Sequence, residues 1–306
     1  MTVRALELFC GIGGFAAATA VTKLRVAGAI DQSPAALDVY RLNFPGHDAW
    51  QLNLENVTAD ELAVFGADFW WLSPPCQPYT VRGAGRDIED PRALSFLRLL
   101  KIIAGIPEGK LPTHLALENV EGFTRSEMRK RLVDLLSRRG FQIQECMLCP
   151  TDLGVPMRRP RYYLMASRGR LSPPVVIVDM PLRPLGDYLD EGNGYGIPEE
   201  LHVAGDVLAR FGKGLRIVDP KDTQAYTTCF TSGYGRSLMH AGSYLQCAGG
   251  VRRFAPEEIA RLLHFPEGFR FPGRMTLRKK WHLVGNSLSV AAVRKVLEAF
   301  PDVLKL

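Results

Sequence analysis

The first thirty-one residues constrain the fold more than any other stretch. Residues 3–9 form an apolar run leading into Cys10-Gly-Ile-Gly-Gly-Phe15, and an alanine-rich segment continues to about Thr22. A second apolar run over residues 25–30 then ends at Asp31. Short apolar runs separated by a glycine turn and a helix-length segment predict a β-α-β unit, in which the helix returns the chain so that the two strands pair in parallel. The acid falls about 20 residues after the turn, where a strand-end carboxylate can reach the ribose of a nucleotide.

The turn Gly11-x-Gly13-Gly14 has Ala16 where a full G-x-G-x-x-G carries its third glycine. Cofactors with a diphosphate usually sit on a helix N-terminus behind the full fingerprint. With Asp31, the shorter turn suits an adenosine-containing cofactor with no phosphate, such as S-adenosylmethionine. The glycines alone are equally compatible with a tight turn of no chemical consequence.

The alternation continues. Phe69–Leu72 reads as a strand, and Asp90-Pro91 as a helix start, with Asp as cap and Pro in the first turn. Phe96, Leu97, Leu100 and Ile103 form one helical face that stops at Gly105. Residues 115–117 read as a short buried strand ending at Glu118-Asn119, and Ser126 as the cap of a helix closed by Gly140. Residues 141–148 and 161–166 read as further strands. Such alternation predicts an α/β fold around a parallel, Rossmann-like sheet. From about residue 170, Pro173, Pro174, Pro181 and Pro184 and the glycine-rich stretch 190–196 break the pattern. Residues 171–278 are therefore expected to form a smaller inserted domain, with 1–170 plus 279–306 forming the larger one.

Lysine and arginine exceed aspartate and glutamate by 38 − 32 = +6, and the sequence pI is about 9.0. That balance suits a polyanionic partner. The start shows neither the apolar core nor the cleavage site of a signal peptide, and no apolar run of about 18 residues could cross a membrane. The six cysteines, Cys10, Cys76, Cys146, Cys149, Cys229 and Cys247, are scattered as reduced cytosolic thiols are, so a cytoplasmic protein is expected. Cys146-Met-Leu-Cys149 lies on a strand, where residues three apart face opposite ways, and no second such pair exists. No metal site is expected.

Pro74-Pro-Cys-Gln-Pro78 follows the strand at Phe69–Leu72. Prolines fix φ and remove N–H donors, which keeps Cys76 out of helix and central strand and on a stiff loop at the strand's C-terminal edge. On this ground alone the thiol is either a nucleophile or a packed structural group. Glu118 lies on the same edge, where apolar surroundings would favour its protonated, proton-donating form, or where it simply solvates the rim. Arg159 and Arg161 alternate around Pro160 on an extended segment, offering two cations on one face, or a solvated basic edge.

Five segments, Phe9-Cys-Gly-Ile-Gly-Gly-Phe15, Pro74-Pro-Cys-Gln-Pro78, Glu118-Asn-Val120, Arg159-x-Arg161 and Gly285-Asn-Ser-Leu288, occur in this order. Together they resemble the ordered motifs of the cytosine-5 methyltransferase superfamily across nearly the whole chain. The resemblance implies a catalytic group of Cys76, Glu118, Arg159 and Arg161. Cys76 would attack C6 of cytosine, Glu118 would engage N3 and the exocyclic amine, Arg161 would hold the base carbonyl, and Arg159 would support the loop. It further implies that S-adenosylmethionine contacts Phe9, Gly11, Gly13, Asp31, Asn286 and Ser287, and that the small domain recognises the target. By the same analogy, residues 79–92 would close over an extruded base.

Cys229-Phe230-Thr231 resembles the signature of the branch that methylates transfer RNA at cytosine 38 of the anticodon loop, which would make these three residues substrate-binding. A nucleic acid substrate, transfer RNA with duplex DNA as the alternative, and a monomer are expected. Met157 stands where many DNA-acting relatives have Gln, and Asn53 near where many have an Asp beside the adenine. A nicotinamide oxidoreductase on the same sheet would need the missing third glycine. A catalytically silent nucleic-acid binder would have no use for Cys76, Glu118 and Arg161 together.

Overall fold

The computed structural model of the chain describes residues 2–80, 85–174, 180–190 and 198–304. Two compact units result. Met1–Leu148, Pro160–Val176 and Ala292–Leu306 make the larger, and Cys149–Arg159 with Ile177–Ala291 the smaller. The division differs from the sequence expectation of 171–278: residues 149–159 and 279–291 pack with the smaller unit. Backbone pairing carries them there. Thr227 and Pro156 share an N–H to carbonyl bond of 2.9 Å, and the Val290 N–H reaches the Leu263 carbonyl at 2.8 Å.

The larger unit is built on strands β1 (Val3–Leu8), β2 (Leu24–Asp31), β3 (Ala49–Gln51), β4 (Phe69–Leu72), β5 (His114–Val120), β6 (Gln142–Leu148) and β7 (Arg161–Ser167). They form one seven-stranded sheet in the order β3-β2-β1-β4-β5-β7-β6. Strands β1 to β5 pair in parallel, whereas β7 runs antiparallel to both β5 and β6. The expected all-parallel sheet therefore stops at β5. A parallel return needs a crossover helix, and between β6 and β7 the chain carries only the short 3-10 turn Pro150–Leu153.

Helices α1 (Gly14–Thr19), α2 (Pro34–Asn43), α3 (Ala59–Ala63), α4 (Leu94–Gly105) and α5 (Glu127–Arg138) alternate with these strands. Their starts are legible in side-chain chemistry: Ser33, Thr58 and Ser126 each accept a first-turn N–H of the helix that follows. Alternate residues of the fully buried β4 serve opposite faces of the sheet. Trp70 and Leu72 pack in one core cluster with Phe96, Leu99 and Ile103 of α4 and Leu132 and Leu136 of α5. On the other face, Phe15 of α1 stacks on Trp71 at 5.1 Å, and Phe69 meets Phe300 edge-on at 5.0 Å.

The smaller unit holds α6 (Gly205–Phe211), a three-stranded sheet of β8 (Ile217–Val218), β9 (Tyr244–Cys247) and β10 (Gly250–Arg253), then α7 (Pro256–Leu262) and α8 (Leu277–Gly285). The last helix, α9 (Val290–Leu297), follows. The small unit's core is aromatic: Phe230 packs edge-on against Tyr234 and Phe254, and Tyr234 against Trp281. Arg252 and Glu258 form a buried two-bond ion pair at 2.7 Å, and Glu258 also accepts the N–H groups of Ala255 and Asp190. No helix among the described residues is long and apolar enough to cross a membrane.

Candidate active site

Register places the candidate residues on one edge of the larger unit's sheet. Leu8 of β1 lies opposite both Ile30 and Leu72, and Leu72 lies opposite Leu117. The residues just beyond these partners, Phe9 to Gly11, Asp31, the Pro-Pro-Cys loop and Glu118, therefore emerge along the same C-terminal rim. In an open α/β sheet this rim is where ligands bind. The antiparallel β7 adds its first residue, Arg161, opposite Val120.

The glycine turn is shaped by its backbone. Gly11 and Gly13 have φ of +53° and +89°, values a residue with Cβ seldom adopts. A side chain on Gly13 would collide with the Phe44 ring at 2.3 Å, whereas above Gly11 the space is open. Phe9 also has a positive φ of 58°, a strained conformation of a kind that clusters at functional sites. Asp31 closes the turn: one carboxylate oxygen accepts the Gly11 N–H at 2.8 Å and the other the Ser33 N–H at 2.8 Å. Burial raises its pKa, and these N–H bonds partly offset the rise.

Beneath the turn lies Glu7, which sequence reasoning missed. Its carboxylate accepts the Phe15 N–H at 3.2 Å and the Tyr40 hydroxyl at 3.1 Å, and the same hydroxyl lies 3.0 Å from Nδ1 of His47. Complete burial pushes the Glu7 pKa up to about 8, against the hydrogen bonds that lower it. The available signal was an acid in the middle of the apolar run Val-Arg-Ala-Leu-Glu-Leu.

The Pro-Pro-Cys loop is held from two sides. Asn119 is wholly buried, and its side-chain N–H donates to the Pro74 carbonyl at 3.3 Å. Tyr79 packs edge-on against Phe123 at 4.9 Å. Cys76 lies between, half-buried, as the N-cap of the 3-10 turn Gln77–Tyr79. Asn119 was quoted within a motif but given no role, because a strand-end amide looks ordinary until its partner is known. Of the segment expected to close over a base, residues 81–84 lie outside the described residues. Its remainder is anchored: Asp87 accepts the Glu127 and Met128 N–H groups at the start of α5, and Asp90 pairs with Arg92 at 2.7 Å.

Glu118 and Arg161 meet. The Arg161 Nε stands 3.2 Å from the Glu118 carboxylate, with both side chains largely buried, and Arg161 Nη1 donates to the Pro160 carbonyl at 2.8 Å. A cation at this distance stabilises the carboxylate form of Glu118, against the effect of apolar surroundings.

Arg159 does not join them in offering two cations to one group. Its guanidinium is buried in the smaller unit, donating to the Phe230 carbonyl at 2.9 Å and the Ser287 carbonyl at 2.6 Å, to Gly285, and to the Cys229 sulfur at 3.1 Å. It supports loops, as expected, but as an internal tie. The arrangement places the backbone and sulfur of Cys229-Phe230 against the Arg159 guanidinium. The Phe230 side chain is 1% exposed and belongs to the core, whereas Cys229 and Thr231 are half-buried. A Cβ on Gly285 would meet the Thr231 carbonyl oxygen at 2.3 Å, so the two segments abut backbone to backbone. Asn286 caps the C-terminus of α8 on the surface of the smaller unit, and Ser287 is buried beside it. Asn53 accepts the Glu55 N–H at 3.0 Å, in a local turn.

The six cysteines stand as thiols, and among the described residues no group of three or more His, Cys, Asp or Glu could hold a metal ion. The profile of the C-5 cytosine-specific DNA methylase family matches residues 3–188. The chain belongs to that family. It is an α/β cytosine-5 methyltransferase. Among its relatives is the tRNA (cytosine(38)-C(5))-methyltransferase of Bos taurus, 30% identical over 98% of this chain and 99% of that one. A DNA (cytosine-5)-methyltransferase of Dictyostelium discoideum is 28% identical over 97% of this chain and 93% of its own length. The solved structure of the S. pombe Dnmt2 methyltransferase superposes with a TM-score of 0.85 at 28% identity, covering 97% of this chain and 98% of the other.

Proposed function

We propose that this protein methylates C5 of cytosine 38 in the anticodon loop of transfer RNA, with S-adenosylmethionine as methyl donor and Cys76 as covalent nucleophile. The observation that carries the chemistry is the Glu118–Arg161 pair at 3.2 Å on the rim that bears the Cys76 loop. The choice of transfer RNA rests on the name of the Bos taurus relative, which aligns end to end with this chain. The cytoplasmic location, the monomeric state and the target-recognition role of the smaller unit belong to the same proposal.

The residues of the glycine turn fit the cofactor. The open face above Gly11 admits an approaching ligand, and Asp31 retains lone pairs beyond its two N–H bonds to meet a ribose. When bound, S-adenosylmethionine supplies an electrophilic methyl group. The work of this chain's own residues is to make cytosine accept it.

Glu118 takes up a proton before the base docks and gives it to N3, and Arg161 stabilises the carboxylate thereby restored and holds the base carbonyl. The ring then accepts the Cys76 sulfur at C6: a C–S bond forms, the C5–C6 double bond opens, and its electrons make C5 nucleophilic. After C5 is methylated, loss of its proton to a base restores the double bond and expels Cys76 as thiolate, and N3 returns its proton to Glu118. A free thiol is mostly protonated near neutrality, so ionisation of Cys76 is part of the barrier. The base must leave its stack to be reached, which costs less in a loop than in a duplex.

Purified protein with labelled S-adenosylmethionine should label total transfer RNA, and bisulfite sequencing should place the mark at cytosine 38. Genomic DNA run alongside should remain unlabelled. Preference for DNA by orders of magnitude would overturn the transfer RNA assignment and leave the cytosine chemistry intact.

A further inference from the structure

The smaller unit carries a concave site with no part in the chemistry above. A cavity of about 260 Å³ is lined by Ser232, Tyr234, Arg236, Thr276, Arg278, Lys279 and His282. Three of these side chains are permanent cations, and no acid lines the cavity. Among the described residues no carboxylate pairs with Arg236, Arg278 or Lys279. Two neighbouring cations of the same unit are neutralised: Lys280 binds Glu257 at 3.1 Å and Arg252 binds Glu258 at 2.7 Å. The three cations that line the hollow thus carry positive charge with no acid among the lining residues.

The walls are held firmly. Trp281 of α8 donates its indole N–H to the Phe254 carbonyl at 2.9 Å, and Tyr234 packs edge-on against it at 5.5 Å. The Tyr234 hydroxyl is spent inside the unit, donating to the Ser243 carbonyl at 2.7 Å and accepting the Phe254 N–H at 3.0 Å. His282 Nδ1 lies 3.2 Å from the Ser232 carbonyl, which can only accept, so Nδ1 carries the proton and the ring ties α8 to the 232–236 turn. Thr276 caps α8, whose positive end adds to the field of the cations.

We infer that this hollow binds backbone phosphate of the RNA substrate through Arg236, Arg278 and Lys279. Close cations without counter-charge repel one another, and a phosphodiester relieves that repulsion while accepting several N–H bonds at once. Hydroxyl groups at Ser232 and Thr276 complete a lining suited to phosphate oxygens. Such contacts position a nucleic acid without reading its sequence. The inference rests on the RNA reading of the chain.

The test is the salt dependence of equilibrium binding of unmodified transfer RNA, measured by fluorescence anisotropy on the full chain between about 50 and 200 mM salt. The triple variant Arg236→Ala/Arg278→Ala/Lys279→Ala should bind at least about tenfold more weakly at the low end. Its log–log slope should be shallower by about one to two, as expected for one or two lost phosphate contacts. The all-lysine variant Arg236→Lys/Arg278→Lys should keep most of the slope, because it keeps the charge. Circular dichroism and cofactor affinity should be unchanged in both, which separates lost contacts from lost structure. An unchanged slope in a folded triple variant overturns the inference, while transfer RNA methylation by the parent protein would leave the functional reading standing. A parent protein that binds no RNA overturns both.

Discussion

Arg161 Nε lies 3.2 Å from the Glu118 carboxylate, joining the first residue of β7 to the end of β5. The pairing exists because β7 returns antiparallel, which brings the start of one strand to the finish of the other. In the proposed mechanism, Glu118 thereby has at hand the charge that stabilises it once its proton has moved to the base.

Substitution of this pair should therefore be non-additive. Glu118→Gln and Arg161→Ala should each lower kcat by about 10²–10⁴, the range for a lost proton-transfer partner. The double variant should fall little below the worse single one. Steady-state methyl transfer on transfer RNA measures all three, and simple additivity would show that the two side chains act independently.

Arg159 should behave differently. Its guanidinium holds carbonyls of Phe230, Gly285 and Ser287 in a buried site, so Arg159→Ala leaves several acceptors without donors. A loss of about 2–4 kcal/mol in unfolding free energy is expected, read by denaturant titration. Arg161→Ala, at the partly open rim, should lose much less. Equal stability losses would contradict the division of labour between the two arginines.

Glu7 gives the protein a pH dependence of known sign. Its pKa is about 8 in the folded state, against 4.5 as the ordinary value, so the folded protein holds this proton more tightly than the unfolded chain. Stability from this group is full below about pH 4 and declines as pH rises through the window up to about 8, then levels off. Glu7→Gln should flatten that decline and raise stability at pH 8 relative to the parent, by on the order of a few kcal/mol. Thermal unfolding between pH 5 and 9 reads it, the pH values being chosen to span about one unit beyond the folded pKa. An identical pH profile in the variant would place the titration elsewhere.

Much of this was legible in the chain because the signals are local. Pro74, Pro75 and Pro78 restrict their own backbone, Ser126 caps the helix beside it, and glycines mark the first turn. The reversal of β7 was not, since strand direction depends on connection geometry and not on the strand's composition. Nor did the spacing of Arg159 and Arg161 reveal that they serve different units. The burial of Phe230 was hidden for a similar reason: an aromatic residue in a turn-rich segment looks available until Tyr234 and Phe254 are found against its ring. Glu7 and Asn119 act through partners distant in sequence, which a single sequence does not disclose.

Asn119 should matter for rate more than for affinity. Its amide positions Pro74 within the Cys76 loop. Asn119→Ala should lower kcat about tenfold or more with a small change in KM for transfer RNA, consistent with misplacement of a reacting group. A change confined to KM would assign Asn119 to substrate binding.

The central claim is that Cys76 forms a covalent bond to the target cytosine, and trapping that bond tests it most directly. A fluorine at C5 cannot leave as the C5 proton does, so methylated 5-fluorocytosine remains bound to the enzyme. Incubated with S-adenosylmethionine and transfer RNA carrying 5-fluorocytosine at position 38, the parent protein should yield a complex stable to denaturation, mapped to Cys76 by peptide mass, and Cys76→Ala should yield none. An adduct that persists in Cys76→Ala, or that maps to another residue, would contradict the account.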